Sequence, residues 1–221
     1  MTLDKLFLQT FTGSIQQDLI DCLQNAYDVN MPIHDPSVGH DPASFGFLNY
    51  KTKTFNLKNL AGVNPDIAIA RANPYLSLQI GEFRLSAYNA GDASMVEDLM
   101  ECFPRNKNRA PEMTKENAVQ LRLDLNLPEE LDDSDCRHLV LCDVGDPFNG
   151  MAAVFIGVPV KTEKGKISKW SHQWVLWQRA DFDFAPGDTP IGPVGPVAPV
   201  ERIQPLKLVR KPQQKAEPNN A

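Results

Sequence analysis

Two histidines and two carboxylates recur in one loop, as His34-Asp35-Pro36 and His40-Asp41-Pro42. Imidazole nitrogens and carboxylate oxygens are donors that a zinc-like divalent ion accepts, so His34, Asp35 and His40 make a candidate metal set. The same residues have a plainer use. An Asp-Pro pair at a helix start supplies a side-chain cap and a pre-set φ, and Asp35-Pro36 suits a turn. The spacing fits no established metal motif. The expectation is therefore a turn at Asp35, a helix cap at Asp41, and neither metal nor cofactor.

A second set could hydrolyse phosphodiesters. Such chemistry gathers carboxylates around a divalent ion beside the phosphate. Asp66 opens one strand pattern, and Glu82-Phe83-Arg84 opens another further on. The order loosely suits a restriction-type nuclease core, with Arg84 standing where such a core uses lysine. Asp66, Glu82 and Arg84 are the catalytic candidates of this alternative, a metal-dependent hydrolase. Their plainer roles are a strand start and a hairpin turn.

The third set is aromatic. If Lys164-Gly165 turns a hairpin, regular pairing sets Phe155 opposite Trp174, Gly157 opposite His172, and Pro159 opposite Trp170. Alternation then puts Phe155, Trp170, His172 and Trp174 on one face, with Val154, Ile156, Val158 and Val160 on the other. An aromatic recess around a glycine gap could bind a planar or cationic group or a partner's side chain. The competing expectation is that Trp170 packs over Gly157.

No phosphate-binding glycine loop, nucleophile elbow or zincin motif occurs in the chain. The acidic stretch from Glu129 to Asp135 lacks the glycine and bidentate glutamate of an EF-hand. Whether the protein is an enzyme stays open at this point.

The elements that must position these residues follow from pattern. Ser14 and Gln17 have capping-box spacing, and Ile15, Leu19, Cys22, Leu23 and Ala26 continue at helical spacing to about Asp28. A second helix starts at Asp41-Pro42, carries Phe45, Leu48, Thr52, Phe55 and Leu60, and ends at Gly62. Strands are expected over 66–72, 75–80 and 83–90, two helices over 94–103 and 114–126, and strands over 138–144, 151–161 and 166–177. Helices followed by strands, twice over, predict an α+β fold. Its helices would pack on a mostly antiparallel sheet built from two three-stranded meanders.

Residues 1–180 form the expected domain, and 181–221 a disordered, proline-rich tail. Within the tail, four tripeptides beginning at Pro190, Pro193, Pro196 and Pro199 match the three-residue turn of polyproline II. In that conformation Ile191, Val194, Val197 and Val200 form one stripe, which a partner's groove could take.

The net charge of −6 argues against non-specific nucleic-acid binding, which rests on Lys and Arg displacing counterions. Four scattered cysteines without a C-x2-C pair suit a reducing compartment. The N-terminal residues do not resemble a signal peptide. The longest apolar run, Met151 to Val160, is half of the roughly 20 residues a membrane helix needs. These features lead to the expectation of a cytoplasmic, non-catalytic interaction or regulatory protein with a protein partner.

Overall fold

A computed structural model describes residues 3–73, 75–92, 99, 102–104, 113, 114, 117, 137–164 and 166–180. The chain divides into Met1–Thr189 and Pro190–Ala221, and the whole second unit lies outside the described residues. So do the polyproline pattern and most of the two helices expected over 94–103 and 114–126. Met113, Thr114 and Asn117 are helical.

Three helices precede the sheet: α1 (Leu3–Thr10), α2 (Gly13–Asn30) and α3 (Pro42–Val63). Two short 3-10 turns, Met31–Ile33 and Pro36–Val38, connect the last two. The strands are β1 (Ile67–Arg71), β2 (Ser77–Ile80), β3 (Phe83–Gly91), β4 (Arg137–Asp146), β5 (Gly150–Glu163) and β6 (Lys166–Gln178). They form a single sheet in chain order, antiparallel at every step except β3–β4, which is parallel. The α+β class holds.

The start of α3 follows the sequence directly. Asp41 accepts from the Ser44 amide at 2.7 Å, Ser44 Oγ accepts from the Asp41 amide at 2.9 Å, and Pro42 occupies the first turn. The start of α2 does not. The helix begins at Gly13 with Thr12 as N-cap and no side-chain cap, so the Ser14–Gln17 box does not form. Gln16 Nε2 instead donates to the Phe11 carbonyl at 2.7 Å and holds the α1–α2 corner.

Helix α1 precedes the first helix expected from the pattern, at Ser14. Its stability comes from afar. The Phe7 ring stacks on Trp174 of β6 at 3.9 Å between centroids, and Trp174 Nε1 donates to Asp4 at 3.1 Å. A helix of eight residues is marginal alone, and this aromatic contact supplies what its local sequence lacks.

From β3 to β6 the sheet carries buried residues on both faces, whereas β1 is largely exposed. One face packs Phe7, Leu19, Leu23, Tyr27, Leu57, Leu85, Val154, Ile156 and Trp174 against the helices. The other packs Val140, Cys142, Phe155 and Trp170 against Leu99, Cys102 and Met113. Asn117 clamps the second face: its amide nitrogen donates to the carbonyls of His138 (2.8 Å) and Pro159 (3.0 Å), and its oxygen accepts from the His138 amide.

Candidate functional site

The described residues place a polar cluster where α2, α3, β3 and β4 meet. Lys53 Nζ donates to both carboxylate oxygens of Asp143, at 2.8 and 2.7 Å. The Tyr27 hydroxyl donates to Asp143 Oδ2 at 2.6 Å. Asn89 Nδ2 donates to the same oxygen at 3.1 Å and to the Tyr27 oxygen at 3.2 Å. The Lys53 ammonium also sits 5.5 Å from the centre of the Tyr27 ring.

Each group is held from its own element. Lys53 lies on the inner stripe of α3 with Phe45, Asn49 and Leu57, at steps of four residues. Asp143 has the β4 neighbours Cys142 and Val144, all fully buried. Gly145 makes room for Tyr27: a Cβ there would lie 2.8 Å from the Tyr27 ring and 2.5 Å from the Gly150 carbonyl. Burial first, and then the Asp143 carboxylate, raise the Tyr27 hydroxyl well above its ordinary value, so it stays protonated and donating. The carboxylate is engaged by three side chains, and this fixes α2 and α3 on the sheet.

The cluster escaped the sequence reading, although a signal existed. Lys53 interrupts the inner stripe of a helix, and Asp143 interrupts the apolar run Leu139 to Val144. A lysine and an aspartate on two core-facing stripes pair because neither charge can be buried alone.

The expected aromatic recess is not formed, because the register differs. Phe155 pairs with Val175, Ile156 with Trp174, Gly157 with Gln173, and Pro159 with Trp170. Between Gly157 and Pro159, two steps along β5 match three along β6, which is a bulge beside a proline that cannot donate to the ladder. The extra residue sends the two indoles to opposite faces. Trp170 covers Gly157, where a Cβ would lie 2.5 Å from the ring, and its Nε1 donates to the Cys102 carbonyl. Phe155 meets Trp170 edge-on, and His172 stacks on Trp174.

The His-Asp-Pro loop is committed to local turns. Asp35 accepts from the amide and hydroxyl of Ser37, and the Asp35 amide donates to His40 Nδ1 at 3.0 Å. The Ser37 bonds, hydroxyl first, hold the Asp35 carboxyl below its ordinary value. His34 rests between Phe45 and Phe148, 6.0 Å from His40 between ring centres. Among the described residues, no three His, Cys, Asp or Glu side chains gather as a metal set. Asp66 and Glu82 are exposed in turns at one end of the β1–β2–β3 ribbon. Arg84 points elsewhere, with Nη1 3.3 Å from His138 Nε2.

No family model, no curated protein and no solved structure matches this chain.

The outer face of α3 is the remaining feature. Of the residues expected along α3, Phe45 lies in the core and Leu60 packs against it, while Leu48 and Phe55 are exposed. The buried stripe runs Phe45, Asn49, Lys53 and Leu57. Leu48 is left 40% exposed, Phe47 61% and Phe55 62%. At about 100° per residue, Phe47, Leu48, Lys51 and Phe55 fall within an arc of about 100°, opposite the buried stripe. Lys51 Nζ lies 5.3 Å over the Phe47 ring.

Proposed function

We propose that this chain is a non-catalytic interaction protein whose protein partner seats on the outer face of α3. The observation that carries the reading is the exposure of Phe47, Leu48 and Phe55 together on one helix face. Water-exposed phenyl rings cost solubility, and a cluster of them is a usual mark of a protein-binding surface. A partner presenting an apolar groove or helix would bury both rings, with Lys51 beside Phe47 favouring an acidic or aromatic group opposite.

The Lys53–Asp143 cluster supports the same reading from beneath. It fastens α3 to the sheet, so the helix offers a rigid surface and loses little freedom on docking. Among the described residues, no helix is long and apolar enough to cross a membrane, which fits a partner that is a protein rather than a bilayer core. The test is affinity capture with wild type and a Phe47→Ser/Phe55→Ser variant. A partner held by the first and lost by the second is expected. Equal capture by both would overturn the reading.

A further inference from the structure

A glycine on α3 has no packing reason to be there. A Cβ at Gly46 meets nothing within 4 Å, and its φ is not in the left-handed region. Glycine inside a helix is less stable than alanine, so the position gives up stability for space. Gly46 lies on the wall of a cavity of about 180 Å³ between α3, β3 and the residues that lead into β2. Its lining includes Gly46, Tyr50, Lys53, Leu57, Tyr75 and Asn89.

We infer that this cavity binds a neutral, single-ring heterocycle carrying a carbonyl next to an N–H, as in a pyrimidine base such as uracil. Size sets the first limit. A cavity of about 150 Å³ accepts benzene, so this one is large enough for a single ring. Charge sets the second. Lys53 is neutralised by Asp143, so the pair presents no net charge to an anion or a cation.

Hydrogen bonding sets the third limit. An ammonium has three N–H groups, and two of those on Lys53 go to the Asp143 oxygens. The Asn89 amide nitrogen is turned to the Tyr27 and Asp143 oxygens, which lie close enough together to share one of its hydrogens. Beside the hydroxyl-bearing side chains of the wall, the third Lys53 N–H supplies a donor and the Asn89 amide oxygen an acceptor. A carbonyl and an adjacent N–H on the ligand complement that pair, and Tyr50 and Tyr75 contribute aromatic surface to the wall. The ligand would touch the groups that fasten α3, so its binding would stiffen the helix whose outer face is exposed.

The experiment is a titration of the full chain with uracil, followed by two-dimensional amide NMR, with benzene and benzoate as comparison ligands. Uracil should shift amides around Gly46 and Asn89 in a saturable way, and benzoate should not. Gly46→Leu, which fills the space from the helix side, should weaken uracil binding tenfold or more with the fold intact by circular dichroism. Asn89→Ala should weaken it by a similar factor, and it keeps the test decisive if Gly46→Leu misfolds. The inference falls if wild type shows no saturable shift with uracil, if Gly46→Leu binds as wild type does, or if benzene binds as well as uracil.

Discussion

Lys53 and Asp143, 90 positions apart in the chain, meet in the core with one ammonium nitrogen within 2.8 Å of both carboxylate oxygens. Their side chains are 6% and 0% exposed. Removing one member of such a pair leaves a buried charge without its counter-charge, which costs about 3–5 kcal/mol. Replacing both by apolar groups avoids that penalty.

Lys53→Met and Asp143→Leu should therefore each lower stability by about 3–5 kcal/mol, and the double variant by clearly less than their sum. Urea denaturation of the four proteins gives the cycle. Additive losses would mean that the two side chains do not depend on each other.

Gly157→Ala tests the bulged register. The new methyl would collide with the Trp170 ring, which is itself pinned to the Cys102 carbonyl. Overpacking of this kind costs about 1–3 kcal/mol. The loss should appear in the denaturation midpoint, with a changed near-ultraviolet signal from the displaced indole. A silent substitution would contradict the packing of Trp170 over Gly157.

Cys22 predicts an alkaline effect. Burial, then the charges of Asp18 and Asp21, push its thiol from about 9.0 up to about 12. Below pH 9 the thiol is protonated in both folded and unfolded chains. Between about 9 and 12 only the unfolded chain ionises, so the native state loses stability as pH rises through that window. Wild type should lose more stability between pH 8 and pH 10.5 than Cys22→Ala does, measured by urea midpoints. Parallel losses would remove Cys22 as the cause.

What was legible in the sequence was what neighbouring residues decide. Asp41-Pro42 marked the start of α3, and alternation marked the strands. Long-range contacts decided the rest. Helix α1 depends on Trp174, far along the chain, and no local pattern in α1 predicts that contact. The hairpin face depended on a regular register, and one bulge beside Pro159 parted Trp170 from Trp174. On α3, hydrophobicity marked Leu48 and Phe55 along with Phe45 and Leu60, but the buried stripe runs through Asn49 and Lys53. The buried counter-charge on β4 made that stripe possible, and Leu48 and Phe55 were left facing water.

Site-specific photocrosslinking in cells would report directly whether α3 meets a partner through Phe47 and Phe55. A photoreactive phenylalanine analogue would replace Phe55 in one chain and exposed Lys164, at the β5–β6 turn, in another. A discrete crosslinked protein from position 55 and none from position 164 is the predicted result. Equal crosslinking from both positions, or none from position 55, would contradict the account.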